Sequence, residues 1–201
     1  MTNATSWDIY SVFYNPLIKT LQTQRQDVFQ HLSPGTAPQQ IYIAGCGTGA
    51  DLSFLPANSR IVAADFSGAM LRKAERRAAE LHFSHIHFQQ GRAEYSGLAD
   101  DSQDLVLLHL ILAVTDQPQV LLDEAVRIVK PGGRISIWDK FLPDDKTAPL
   151  WRKGLNVLTR RLATSINLQV APLLQGLPVE IVHRKFYFAR LMQHIILTKK
   201  R

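Results

Sequence analysis

Three glycines stand at alternate positions in Ile41-Tyr-Ile-Ala-Gly45-Cys-Gly47-Thr-Gly49, directly after a short apolar run. Glycine lets a backbone bend tightly and lets a ligand approach without meeting a Cβ. A strand emptying into such a bend, with a helix expected behind it to offer free N–H groups, holds an anionic or polar ligand by its main chain. The spacing is GxGxG; position 50 is alanine, so this is not the GxGxxG dinucleotide fingerprint. The plainer alternative is a tight structural turn. Twenty residues after Gly45, Asp65 closes the next apolar run. Ligands of open α/β sheets bind at the carboxyl ends of strands, and a carboxylate there accepts two hydrogen bonds from ribose hydroxyls. Asp65 could instead serve helix entry, because Asp65-Phe-Ser67 precedes a helical stretch that Ser67 would cap. Cys46 lies inside the bend with no identifiable partner base, so packing is its expected role.

These residues need a scaffold, and the hydrophobic periods supply one. β-like runs at Ile41–Ala44, Arg60–Asp65, Ile86–Phe88, Asp104–Leu110 and Arg134–Trp138 alternate with helical stretches at Met70–Leu81 and Gln119–Val129. Such alternation predicts a parallel sheet with right-handed crossovers. Asp104–Leu110 is nearly all apolar, as befits a strand covered on both faces. Two late runs, Val179–Phe188 and Ala189–Lys199, read as an antiparallel hairpin at the sheet edge. Residues 7–31 carry helical spacing split by Pro16 and end in the turn cluster Ser33–Pro38. The expected organisation is an N-terminal helical cap over 1–38, then a domain over 39–201 with a lid-like insertion at about 142–176.

Composition bounds the reading. With 201 residues, 46% hydrophobic and 20% charged, the chain suits one globular domain and excludes fibrous or disordered classes. Cys46 is the single cysteine, which excludes an intrachain disulfide and an all-cysteine metal site. Met1–Tyr10 has no signal-peptide character, and no apolar run approaches the ~20 residues of a membrane helix. The expected location is cytoplasmic. Residues 1–129 hold 9 basic and 13 acidic side chains, net −4; residues 130–201 hold 14 and 4, net +10. That asymmetry points to an anionic partner on the C-terminal side or to a solvated basic surface. His82, His85 and His87 read as surface histidines, since a metal site needs ligands on one face and a further acid or thiol. No metal is expected.

Gly45-Cys-Gly-Thr-Gly49, Asp65-Phe-Ser-Gly-Ala-Met70, Gly91-Arg-Ala-Glu94, Asp104-Leu-Val-Leu-Leu-His109 and Val129-Lys-Pro-Gly-Gly-Arg134 together resemble the class I S-adenosylmethionine-dependent methyltransferases, in order and spacing, over residues 40–140. The resemblance implies an α/β fold: a Rossmann-like seven-stranded, mostly parallel sheet with an antiparallel last strand and helices on both faces. It implies S-adenosyl-L-methionine as cofactor and S-adenosyl-L-homocysteine as product. By position, Gly45, Cys46, Gly47 and Gly49 would wrap the methionine part, and Asp65 would take the ribose hydroxyls. Phe66, Ser67 and Met70 would border the adenine; Arg92, Ala93 and Glu94 would form its edge loop. His109 would stand beside the methyl sulfur as the candidate catalytic base, and Tyr14 would fold over the cofactor's carboxylate. Two positions depart from the family pattern: Ile43 replaces an acid before the first glycine, and Arg92 replaces an aspartate in the adenine loop.

Leu107–Asp116 and Trp138–Pro143 are similar to the ubiquinone/menaquinone and phosphatidylethanolamine methyltransferase group, so the expected acceptor is a small or lipid-like molecule of quinol or phospholipid-headgroup type. No Asn- or Asp-Pro-Pro-aromatic stretch follows the fourth strand, and no RNA motif occurs, so nucleic acid is not the expected substrate. The basic stretch 151–162 reads either as a lid touching the anionic inner face of a membrane or as a cap helix with solvated arginines. The rival readings are a non-catalytic S-adenosylmethionine-binding or RNA-interacting module and, against the glycine spacing, an NAD(P)-dependent oxidoreductase.

Overall fold

A computed structural model describes residues 22–34, 36–141, 168–188 and 190–201. Seven strands form one sheet: β1 (Gln40–Ala44), β2 (Arg60–Asp65), β3 (Ile86–Gln90), β4 (Gln103–His109), β5 (Val129–Lys140), β6 (Val179–Tyr187) and β7 (Met192–Lys199). Their order is β3-β2-β1-β4-β5-β7-β6, with β7 antiparallel to both its neighbours and every other pair parallel. This is the Rossmann-like architecture with a reversed last strand, and the late hairpin sits at the sheet edge as expected. The order reverses between β1 and β4, which opens a crevice at their carboxyl ends.

Side chains alternate between two cores, as strand periodicity requires. Ile41, Ile43, Leu105 and Leu107 face α1 (residues 22–32) and α2 (Gly68–Glu80), meeting Val28, Phe29, Leu32, Leu71 and Ala74. Tyr42, Ala44, Val106 and Leu108 face α3 (Pro118–Ile128), meeting Leu121, Leu122, Ala125 and Val126. The α2 helix starts where Ser67 Oγ accepts the Met70 N–H at 3.3 Å, an N-cap bond. Proline at the first turn of α3 wastes no hydrogen bond. A short helix, Val170–Leu174, adds to the second core.

Two local expectations change. The helix expected behind the glycine bend is a single 3-10 turn, Leu52–Phe54. The crossover from β1 to β2 is residues 45–59; the glycine bend takes up its start and Pro56 stands shortly after the turn. Pro131-Gly-Gly133 does not precede the fifth strand but lies inside it, as an irregular start where Val129 pairs with Gln103 before the regular register begins at Arg134. Gly133 is held there by crowding, since a Cβ would stand 2.9 Å from the Lys130 carbonyl oxygen. His82, His85 and His87 are exposed. Among the described residues no group of three or more side chains could hold a metal, and no helix is long and apolar enough to cross a membrane. Tyr14 and the basic stretch 151–162 lie outside the described residues.

Candidate cofactor site

The bend after β1 follows the glycines. Gly45, Gly47 and Gly49 adopt φ of +64°, +54° and +74°. Two of them matter for different reasons. At Gly47 a Cβ would meet nothing within 4 Å, so this position is an open cradle. At Gly49 a Cβ would stand 3.1 Å from the Ala74 Cα, so the absence of a side chain lets α2 pack close. The Asp65 carboxylate closes the bend from β2: it accepts the Gly47 N–H at 2.8 Å and the Ser67 N–H at 2.9 Å. Each carboxylate oxygen offers further acceptor capacity.

Gly45, Gly47, Asp65, Phe66, Met70, Arg92, Ala93, Glu94 and His109 all border one cavity of about 250 Å³. Leu110, Ile111, Val114, Thr115 and Asp116, from the loop after β4, and Gly91, after β3, form its remaining wall. In the adenine-loop segment, Arg92 reaches Glu94 Oε1 at 3.3 Å, and the Thr115 hydroxyl bonds the same oxygen. The Ala93 carbonyl accepts from the Tyr42 hydroxyl at 3.1 Å, and Glu94 is the side-chain carboxylate of this loop that borders the cavity. Ser67 is buried as the cap of α2 and, like Gly49, does not border the cavity.

Cys46 sits in a smaller polar recess behind the bend, of about 20 Å³, with Arg25, Thr48, Asp51 and His109. Burial, then the Asp65 and Asp51 charges, push the Cys46 thiol well up, so it is an unreactive packing group. Arg25 Nε donates to Asp51 Oδ1 at 2.6 Å, while its Nη1 is buried without a hydrogen-bond partner among the described residues. Asp51 Oδ2 lies 3.0 Å from His109 Nδ1, and His109 Nε2 lies 2.9 Å from Ser136 Oγ. Burial alone would raise the Asp51 carboxyl, but His109 and Arg25 outweigh it and hold it well below the usual carboxylate range. With both ring nitrogens engaged inside the protein, His109 turns no nitrogen to a molecule in the cavity.

Sequence reasoning passed over Arg25, Asp51 and Ser136. One signal was available for Arg25. It shares the i, i+3, i+4, i+7 stripe with Val28, Phe29 and Leu32, an anomalous place for a charge. Ser136 carries no such mark in an apolar strand.

Residues 43–137 match the family described as a methyltransferase domain. Thiol S-methyltransferase TMT1B of Rattus norvegicus is 25% identical over 158 residues, covering 75% of this chain and 64% of its own length. Demethylmenaquinone methyltransferase of Clavibacter sepedonicus is 34% identical over 131 residues, covering 65% and 51%. Geranyl diphosphate C-methyltransferase from Streptomyces coelicolor A3(2), solved with Mg2+, geranyl diphosphate and S-adenosyl-L-homocysteine, superposes with a TM-score of 0.73 at 14% identity, covering 88% of this chain and 78% of that one. A glycine bend, a strand-end carboxylate and a reversed last strand are thus set in a chain whose family match and whose two curated relatives above are methyltransferases. Residues 43–137 are matched as a methyltransferase domain, and the matches support a class I S-adenosylmethionine-dependent methyltransferase with S-adenosylmethionine as its cofactor. The chain spans about half to two-thirds of the length of the two curated relatives.

Proposed function

We propose that this chain transfers the methyl group of S-adenosylmethionine to a small, largely apolar acceptor of quinol or thiol type. The observation that carries the reading is the pairing of the open Gly47 cradle with the Asp65 carboxylate on one cavity. In this reading Asp65 takes the ribose hydroxyls. Phe66 and Met70 flank the adenine, and Glu94 replaces the absent aspartate as acceptor for the adenine amino group. Gly45, Cys46, Gly47 and Gly49 give the methionine part a wall of backbone. The unpaired Nη1 of buried Arg25, beside the polar recess, suits the methionine carboxylate, and Tyr14 would cover that end.

The bound sulfonium supplies an electrophilic methyl group. The chain's share is alignment of the acceptor with that methyl and exclusion of water, effects that together reach ~7–11 kcal/mol in well-oriented systems. Leu110, Ile111 and Val114 make the wall beyond His109 apolar, which favours a quinol- or thiol-like acceptor over a strongly hydrated one. His109 is assigned to shaping that wall, because Asp51 and Ser136 already occupy its nitrogens. The net +10 of residues 130–201 supports a basic lid over about 142–176, and a cytoplasmic protein that meets anionic lipid through 151–162.

The test is a transfer assay with methyl-labelled S-adenosylmethionine against a demethylquinol, an alkyl thiol and phosphatidylethanolamine vesicles. Label on the quinol or thiol is the expected result. Label on the vesicles alone would move the acceptor class to headgroups. Tight S-adenosylmethionine binding without transfer to any of them would favour a non-catalytic module, and binding of NADH in its place would overturn the reading.

A further inference from the structure

β5 runs on past the end of β4. His109 closes β4 opposite Trp138, while β5 continues to Lys140, so Asp139 has no pair on β4. Asp139 is nevertheless fully buried, as are Trp138 before it and Phe141 beyond it. A carboxyl taken out of water is costly unless it is hydrogen-bonded. Asp139 Oδ2 accepts the Ala113 N–H at 3.0 Å, and Oδ1 accepts the Lys140 N–H at 2.7 Å. Both partners are backbone N–H groups, which only donate, so the direction of each bond is fixed.

The loop that receives this tie is the cavity wall after β4. Leu110 opens it at φ +59°, a left-handed conformation that the Cβ of an L-residue disfavours and that an apolar side chain cannot ease by a local hydrogen bond. Four contacts hold the loop in that shape. The Leu110 N–H donates to the Trp138 carbonyl at 2.8 Å. Ile111 lies so close over Gly45 that a Cβ there would stand 2.6 Å from Ile111 Cδ1. The Ala113 N–H is held by Asp139, and the Thr115 hydroxyl bonds Glu94. Between these points Leu112 and Ala113 are buried, and the Val114 and Thr115 N–H groups both close on the Ile111 carbonyl at 3.0 Å. Strain that neighbours over-determine in this way gathers at sites of function. Asp139 stands apart among the four: it ties the loop by a buried side chain, from a strand position that does not itself border the cavity.

We propose that Asp139 is a positioning residue for methyl transfer: it holds the loop over 110–116 in the strained shape that sets Leu110 and Ile111 as the acceptor-selecting wall of the site. This rests on the cavity being the site where S-adenosylmethionine meets a largely apolar acceptor. The groups assigned to the cofactor, Gly47 and Asp65, stand after β1 and at the end of β2, and Asp139 bonds neither of them. Leu110 and Ile111 border the same cavity from the other side, where an acceptor would be aligned with the methyl group. Alignment is steep in distance, since a misplacement of about 1 Å can cost about 100-fold in rate. Releasing Ala113 lets Leu110 return to an ordinary backbone conformation and carries the wall with it. The loss therefore falls on the acceptor and leaves the cofactor's own contacts in place.

The experiment compares Asp139→Ala, which removes both acceptor oxygens, with Asp139→Asn, which keeps one, and with Leu110→Ala, which leaves the tie and trims the wall. Affinity for S-adenosylmethionine is measured by calorimetry. The kcat and KM for a short-chain demethylquinol and for an alkyl thiol are measured with methyl-labelled S-adenosylmethionine. Asp139→Ala should lower kcat/KM for the acceptor that the wild type prefers by at least about tenfold, and narrow its lead over the other, with S-adenosylmethionine affinity within about threefold of the wild type. Asp139→Asn should fall between the two, and Leu110→Ala should narrow the preference in the same way with the cofactor affinity kept. Equal fractional losses of cofactor affinity and of kcat/KM for both acceptors in Asp139→Ala are what a merely structural carboxyl would give, and they overturn the proposal. An unchanged acceptor preference in Leu110→Ala overturns it even if Asp139→Ala does not fold. A wild type that binds S-adenosylmethionine and methylates neither acceptor overturns the acceptor reading beneath it; one that methylates either, with the same preference kept in Asp139→Ala, overturns this proposal alone.

Discussion

Asp65 spends its carboxylate on the protein as well as on any ligand. Its bonds to the Gly47 and Ser67 N–H groups hold the glycine bend against the start of α2. Asp65→Ala should weaken S-adenosylmethionine binding about 100-fold, since two charge-assisted bonds to ribose are worth ~1.5 kcal/mol each at the low end. Calorimetry finding unchanged affinity would remove Asp65 from the site. Gly47→Ala tests the cradle from the other side. The φ of +54° costs a side chain ~1–2 kcal/mol, and the new methyl would enter the space assigned to the cofactor. The expected outcome is a modest fall in Tm with a larger loss of affinity; a loss of stability alone would mean that no ligand approaches there. At this scale the bend and Asp65 were legible because their signal is local: a few residues in one turn and one strand end. The surroundings of His109 were not. Arg25, Asp51, Ser136 and His194 come from four separate elements and meet only through packing and strand register.

At the scale of elements, α1 is a wall of the site. It is tied down by Arg25 to Asp51 at 2.6 Å, by Asp27 to Lys185 at 2.9 Å, and by an Arg134 guanidinium bond to the Leu32 carbonyl. The Arg25 guanidinium also lies over the Trp138 ring, 5.1 Å from its centroid. Arg25→Leu would leave Asp51 buried with His109 as its remaining partner, and breaking a buried pair from one side costs ~3–5 kcal/mol. Denaturant unfolding should show a loss of that order, with Arg25→Lys intermediate because an ammonium keeps the charge but not the planar stack. A loss below ~1 kcal/mol would mean that α1 is held by its apolar stripe alone. The irregular start of β5 is the element that sequence periodicity misplaced. Pro131-Gly-Gly133 carries a turn signature, yet Lys130 bonds Asp104 at 2.6 Å while Asp104 also accepts the Gln40 N–H at 2.8 Å. Those side-chain ties join β1, β4 and β5 across 90 positions of sequence, beyond the reach of a local pattern.

For the molecule as a whole, the buried polar side chains beneath α1, from Asp51 to His194, make stability depend on pH with a definite sign. His194 is neutral in the fold down to about pH 3, against an ordinary histidine value of 6.5, and burial lowers His183 in the same direction. A depressed histidine means that the unfolded chain binds the proton first, so stability is lost as pH falls from about 6.5 toward 3. Asp51, held far below the usual carboxylate range, adds a further loss once the pH passes below its ordinary value of 3.8. Asp139 opposes them: burial raises its carboxyl, so the fold takes up that proton before the unfolded chain does and gains stability on mild acidification. Asp27, Asp104 and Glu124, whose carboxyls are also held low by their partners, act in the same direction as Asp51. Thermal unfolding should therefore give a Tm that is highest near neutral pH and falls continuously below about 6.5. His194→Gln should flatten the upper part of the limb below 6.5 while leaving the loss around and below the ordinary carboxylate range, which belongs to Asp51 together with Asp27, Asp104 and Glu124. A Tm that rises on acidification from pH 7 to 5 would mean that protonation of Asp139 in the fold exceeds the loss from His194 and His183, and the expected sign would be wrong.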